Sequence, residues 1–224
     1  MSRPQTADQI VVTRPGEYWC HPEIAESYDS GRFDDLTGRV YKWLEERIVE
    51  KAIRQFPSRG RVLDAACGTG RITALLRRHG FQSVGCDISP AMITVARRRF
   101  AALGYDVPFV ETNIEQLPYP DGFFDAATCV GLLMHLDARM RVRALREIAR
   151  VTRGPLLVQY VRDDVFQRMR TRLTGRPAGG AQYPVTTDEI GSDLQQSGLI
   201  GRATFPVLPG VSSSVLMLLE KQGV

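Results

Sequence analysis

The stretch Val62-Leu63-Asp64-Ala65-Ala66-Cys67-Gly68-Thr69-Gly70-Arg71 constrains this chain more than any other. A short apolar run ends in an acid, passes through a tight turn with two glycines and opens onto a segment of helical spacing, Ile72 to His79, that stops at Gly80. Gly68 and Gly70 have no Cβ, so a ligand can approach their backbone closely. In open α/β sheets, ligands bind outside the carboxyl ends of the strands where strand order reverses, and the first strand is the usual place.

The same strand-then-helix unit repeats downstream. Ser83 to Asp87 reads as a second strand, followed by Ser89 as N-cap, Pro90 at the first helical position and a helix to Leu103 before Gly104. Pro108 to Asn113 reads as strand three and Phe124 to Leu133 as strand four. Asp137 to Val151 reads as a helix and Pro155 to Val161 as strand five. Alternation of this kind implies parallel pairing through right-handed crossovers. The fold class is therefore α/β, a Rossmann-like doubly wound sheet. After a helix near Thr187 to Ser197, Arg202 to Leu208 and Ser213 to Glu220 read as an antiparallel edge hairpin joined by the Pro209-Gly210 turn.

Before the first strand, Leu36 to Phe56 has the spacing of a helix that ends at Pro57, and the region ahead of it reads as a cap of short helix and loop. The 224 residues divide as one domain: an N-terminal cap (1–56), a cofactor-binding core (57–161), and a substrate-side segment with the edge hairpin (162–224). Residues 162–184 are the least regular and read as a loop or lid.

Several function classes are disfavoured at this point. No apolar run approaches the roughly 18 residues of a membrane span, and Met1 to Thr13 lacks the apolar core of a signal peptide, so the expected location is cytoplasmic. Cys20, Cys67, Cys86 and Cys129 lie 47, 19 and 43 residues apart, matching no close-paired metal spacing, and read as reduced, buried thiols. No metal site is expected. The formal charge is +4 and nearly all arginine, since lysine stands only at 42, 51 and 221. Arg139, Arg141, Arg143, Arg146 and Arg150 interleave with apolar residues at helical spacing and read as a solvated helix face. No nucleic-acid partner is therefore expected.

The chemistry of the cofactor follows from two acids. Asp87, 17 residues beyond Gly70, ends strand two, where a carboxylate accepts from both hydroxyls of a ribose and repels a 2′-phosphate. A dinucleotide site would carry G-x-G-x-x-G, whereas this chain has Ala66-x-Gly68-x-Gly70 preceded by Asp64. An acid beside an exposed turn suits an ammonium better than a pyrophosphate, so these residues favour S-adenosylmethionine and leave a dinucleotide as the alternative.

LDAACGTGR resembles the first motif of the class I S-adenosylmethionine-dependent methyltransferases. VGCDISPAMITVAR resembles their second, and ETNIEQLPYPDGFFDAATCVGLLMHL their third and fourth, over roughly residues 40–160. The resemblance implies that Asp64, Gly68 and Gly70 surround the methionine moiety, with Ala66 and Arg71 also in the cofactor site, and that Asp87 holds the ribose. It implies that Ile88 and Met92 flank the adenine, and that Asn113 and Ile114 meet its edge, with Val130 after strand four completing the site. Asn113 stands where the family commonly has Asp, and Ala66 where many members have Gly; a methyl at Ala66 is tolerated if its φ is negative.

Methyl transfer needs alignment and desolvation, and a base only when the acceptor must lose a proton. His135 in LLMHL is the best-placed candidate base; the bland alternative is a backbone hydrogen bond at the next helix start. The stretch at the end of strand four, Cys129-Val130-Gly131-Leu132, lacks the Asn-Pro-Pro-Tyr tetrapeptide of amino-methylating nucleic-acid enzymes and any Pro-Cys nucleophile. The expected partner is a small-molecule or lipid-linked acceptor methylated on oxygen or nitrogen. Tyr18, Trp19, Tyr28, Phe33, Tyr160, Phe166 and Tyr183 are candidates for its pocket, and Arg162, Arg168, Arg170, Arg172 and Arg176 for an anionic group on it. An RNA or protein methyltransferase and a non-catalytic cofactor-binding protein are the competing readings. Oligomeric state is not legible.

Overall fold

Along Arg61–Ala65, alternate residues enter opposite cores: Leu63 and Ala65 join one apolar cluster and Val62 another. A strand buried on both faces needs this continuous apolar composition. The computed structural model describes residues 17–174, 183–208 and 212–223. A 3₁₀ turn at Glu17–Cys20 leads into α1 (Pro22–Phe33) and α2 (Leu36–Ile53). There follow β1 (Arg61–Ala65), α3 (Arg71–Arg78), β2 (Gln82–Asp87), α4 (Pro90–Ala102), β3 (Phe109–Glu111) and β4 (Ala126–Cys129). The chain continues through α5 (Ala138–Val151), β5 (Leu156–Val161), α6 (Val165–Thr174), α7 (Thr187–Ser197), β6 (Leu199–Pro206) and β7 (Ser214–Lys221).

The strands form one sheet in the order β3-β2-β1-β4-β5-β7-β6. The first five are parallel, and β7 runs antiparallel to both β5 and β6. This is the doubly wound sheet with an antiparallel C-terminal pair that the alternation predicts. The order reverses between β1 and β4, which opens a crevice at their carboxyl ends. One core packs Leu145 and Ile148 of α5 and Ile190 and Leu194 of α7 on the sheet. The other packs Val49 and Ile53 of α2 and Leu75 and Leu76 of α3. Ile93, Ala96 and Phe100 of α4 form a third cluster with Cys67 and Phe109.

Five expectations are corrected. Strand four spans Ala126–Cys129 rather than 124–133, because Gly131 takes φ +89 and turns the chain. Leu133 and Met134 are apolar because a 3₁₀ turn buries them, not because they pair in a strand. The cap holds a helix of 12 residues, α1. The segment expected to be irregular contains α6, started by Asp164, whose Oδ1 accepts the Gln167 N–H at 3.0 Å. Arg141 is not solvated: it is 3% exposed and paired with Asp193 at 2.6 Å, bracing α5 against α7. Among the cysteines, Cys67, Cys86 and Cys129 are buried but Cys20 is exposed. The Pro209-Gly210 turn, Arg176, and the side chains of Phe166 and Arg170 lie outside the described residues.

Candidate cofactor and acceptor site

The end of β1 and the end of β2 are joined through the glycine turn. Cys67 N–H donates to the Cys86 carbonyl at 2.9 Å, and Gly70 N–H closes the turn on the Cys67 carbonyl at 2.9 Å. Gly68 and Gly70 adopt φ +54 and +81. A Cβ on Gly70 would meet Phe100 at 2.8 Å, so α4 can pack here only against glycine. A Cβ on Gly68 would meet nothing within 4 Å and would project into open space. Ala66 has φ +57, so the condition of a negative φ for its methyl is not met. It therefore carries left-handed strain of about 1 kcal/mol that glycine would not.

Asp87 is clamped by two backbone donors: Gly68 N–H to Oδ2 at 2.9 Å and Ser89 N–H to Oδ1 at 2.9 Å. Each oxygen keeps a lone pair for a further donor. Burial pushes the Asp87 carboxyl up, opposed by those N–H groups. Asp64 is 1% exposed; Thr73 Oγ1 donates to its Oδ2 at 2.5 Å and Thr128 Oγ1 to its Oδ1 at 2.9 Å. Burial raises its carboxyl to about 6 against these hydroxyl donors.

A cavity of about 390 Å³ opens over this turn, within the size range of small-molecule sites. Asp64, Ala66, Gly68, Arg71, Asp87, Ile88, Met92, Asn113, Ile114, Val130 and His135 all line it, so the residues singled out in the sequence converge on one space; Gly70 shapes the turn from behind. Ile88 is exposed toward the cavity whereas Met92 is buried. Asn113 Oδ1 accepts the Glu115 N–H at 2.9 Å, which fixes the loop after β3.

The cap forms the opposite wall. Ser89 Oγ donates to the Trp19 carbonyl at 2.6 Å. Thr69 Oγ1 and Arg99 Nη1 donate to Asp29 Oδ2 at 3.0 and 3.1 Å. The Trp19 ring meets Tyr28 edge-on at 5.4 Å and His135 at 5.6 Å, and all three line the cavity. His135 belongs to the 3₁₀ turn Leu133–His135 beyond β4, not to the strand. Of the other candidate aromatics, Phe33 and Tyr160 are core, and Tyr183 is exposed away from the cavity. Arg162, Arg168 and Arg172 do not line it either.

One end of the cavity is cationic, which sequence reading missed in Arg32. Arg32 Nη1 donates to the Tyr28 hydroxyl at 2.7 Å. Arg71 is held by the buried Glu45, and its buried Nη1 has no hydrogen-bond partner among the described residues. Burial alone would raise the Glu45 carboxyl, but Arg71 and Arg32 hold it low; Gln159 Nε2 donates to it at 2.7 Å. No signal in the sequence brings residues 32, 45, 71 and 159 together; only the packing of α1 and α2 across the sheet does. No group of three or more potential metal-binding His, Cys, Asp or Glu side chains occurs among the described residues.

The doubly wound sheet with β7 antiparallel, and an acid hydrogen-bonded to a glycine turn at the switch point, are the features of the class I S-adenosylmethionine-dependent methyltransferases, to which this chain belongs. A family model described as a methyltransferase domain matches residues 62–154. Methyltransferase GfsG of Streptomyces halstedii is 30% identical over 221 residues, 92% of this chain and 75% of that protein. A demethylmenaquinone methyltransferase of Thermus thermophilus is 39% identical over 108 residues, 47% of this chain and 48% of its own length. The chain spans about half the length of the demethylmenaquinone methyltransferases it matches. Among solved structures, the magnesium protoporphyrin IX methyltransferase of Synechocystis, with bound S-adenosylhomocysteine, superposes with a TM-score of 0.70 at 18% identity, covering 88% of this chain and 97% of that one.

The cofactor of this class is S-adenosylmethionine, and the residues present fit it. The open space where a Gly68 Cβ would stand leaves room for a ligand against the turn, and the clamped Asp87 offers two acceptors.

Proposed function

We propose that this chain, acting as one methyltransferase unit in the cytoplasm, transfers a methyl group from S-adenosylmethionine to a planar small-molecule acceptor. The observation that carries the reading is the single cavity that holds Asp87 and the Gly68 turn at one end and the Trp19, Tyr28 and His135 rings at another. Bound S-adenosylmethionine supplies an electrophilic methyl on a sulfonium. Asp87 holds the ribose diol, Ile88 and Met92 the adenine faces, and Asn113 and Ile114 its edge. Arg32 and Arg71 offer guanidiniums to a carboxylate. Asp64 acts chiefly by fixing the turn through Thr73 and Thr128, since it is 1% exposed beneath it.

The aromatic wall fits a ring-bearing acceptor, and the cap excludes water from it. His135 takes the proton from an acceptor hydroxyl or amine as the methyl arrives, consistent with oxygen or nitrogen as the methylated atom. A second reading is methylation of a quinol ring carbon, favoured by the demethylmenaquinone methyltransferase name of the relative. Incubation with labelled S-adenosylmethionine and phenols, amines or short-chain demethylmenaquinol tests both. Label on oxygen or nitrogen, lost on His135→Ala, supports the first reading; label on ring carbon selects the second, and no transfer to any acceptor counts against a catalytic role.

A further inference from the structure

We propose that the outward faces of α2 and α6 form a docking surface for an anionic lipid bilayer. On α2, Leu36, Val40 and Trp43 recur at helical spacing yet point outward, Leu36 being 78% and Trp43 59% exposed. The opposite face of the helix, with Glu45, Val49, Ala52 and Ile53, is the one buried in the protein. On α6, Val165 and Met169 lie one turn apart, and Val165 is 74% exposed. These five account for most of the nine large apolar side chains exposed among the described residues.

The two helices are tied together at the carboxyl edge of the sheet. Gln159 lies within 3.4 Å of the Tyr41 hydroxyl of α2 and donates to Ser214 Oγ at 2.9 Å, while Ser213 Oγ donates to Asp164 at the start of α6 at 2.7 Å. Leu36 follows the cavity-lining Arg32 by four residues, so the apolar stripe begins near the cavity.

Charge selects the occupant. Past Trp43 the outward face of α2 carries Arg47, Lys51 and Arg54, with Arg39 beside it, and α6 carries Arg168 and Arg172. Of the α2 acids, Glu46 is turned inward to Arg71, and Glu50 is shared between His79 at 3.4 Å and Arg47 at 3.9 Å; on α6, Arg168 pairs with Asp163 at 3.6 Å, so Arg39, Lys51, Arg54 and Arg172 carry most of the unbalanced positive charge. Asp34 and Asp35 stand at the Leu36 end, so the cationic half runs from Trp43 to Arg54. An aromatic and apolar stripe flanked by arginine and lysine suits the boundary of a bilayer with anionic headgroups, where each cation adds to the attraction. Such docking would present a lipid-dissolved acceptor to the cavity, and in that respect it rests on the proposed function; the binding itself does not depend on turnover.

Co-sedimentation of the full chain with phosphatidylcholine vesicles, with and without phosphatidylglycerol, tests the surface. Expected is binding at least about tenfold stronger to the anionic vesicles, weakened by salt. It should be lost on the pair Leu36→Ser and Trp43→Ser, and reduced by Arg47→Glu with Arg54→Glu, which leaves the apolar stripe intact. S-adenosylhomocysteine affinity, unchanged in both variants, reports an intact fold and separates failure of docking from failure of the cofactor assignment. Equal binding to neutral vesicles, or wild-type binding by both variants, overturns the proposal. A dimer that the Leu36→Ser, Trp43→Ser pair dissociates also overturns it, assigning the stripe to a second copy of this chain.

Discussion

Asp87 Oδ2 accepts the backbone N–H of Gly68 at 2.9 Å, so the acid that ends β2 also holds the turn that follows β1. The carboxylate does two things at once, orienting the glycine backbone and presenting its free lone pairs to the cavity. Asp87→Ala is expected to lower S-adenosylhomocysteine affinity by at least about tenfold, the value of one or two hydrogen bonds to a charged group. Calorimetric titration checks it. Unchanged affinity would show that the ribose does not sit here.

The glycine turn makes three different demands. Ala66→Gly relieves a left-handed alanine and is expected to stabilise the protein by up to about 1 kcal/mol, partly offset by the greater freedom of glycine in the unfolded chain. Gly70→Ala drives a methyl to within 2.8 Å of Phe100 at φ +81 and is expected to destabilise by about 1–3 kcal/mol. Gly68→Ala meets open space at φ +54, so it should cost about 1 kcal/mol of stability through backbone strain, and its loss of cofactor affinity should exceed that. Urea unfolding and ligand titration of the three variants separate these effects.

Asp64 gives a pH signature. Its carboxyl is raised by burial from 3.8 to about 6 in the folded protein, so the folded state holds its proton more tightly than the unfolded state. The stability from that protonated form is complete below about pH 4 and is lost as pH rises through about 6. Asp64→Asn keeps a partner for each of the Thr73 and Thr128 hydroxyls without the charge. The melting temperature of Asp64→Asn relative to wild type should therefore rise between pH 5 and pH 8 in the ligand-free protein. A difference independent of pH would mean that Asp64 is ionised throughout that range.

Much of this was legible in the sequence, for identifiable reasons. The order β1 to β5 was readable because β1, β4 and β5 are buried apolar runs and β2 ends in an acid before a helix cap, and Ser89, Pro90 and Asp137 mark helix starts by local chemistry. The site residues converged because the carboxyl ends of neighbouring parallel strands are adjacent by topology. What was hidden depends on tertiary packing: Arg141 resembles its exposed neighbours in pattern, and its burial is made tolerable by Asp193, 52 residues away, and by the Leu136 carbonyl. Ala66 could not reveal its left-handed φ, since alanine shows no preference for it. Arg32 entered the cavity through the path of α1, which local spacing does not determine.

The latch between the cap and the core gives a further test. Asp29 receives Thr69 from the turn and Arg99 from α4, while Ser89 holds the Trp19 carbonyl. Saturating S-adenosylhomocysteine is expected to slow proteolysis within residues 17–35, and Asp29→Ala to remove most of that protection. Equal cleavage with and without ligand would show that the cap does not close over the cofactor.

The most direct test of the cofactor assignment is parallel calorimetric titration of the protein with S-adenosylmethionine, S-adenosylhomocysteine and NAD. Binding of both sulfur nucleotides without NAD is the expected result. Binding of NAD alone would contradict the assignment, because the clamped Asp87 would then hold a dinucleotide ribose at a turn built without the third glycine.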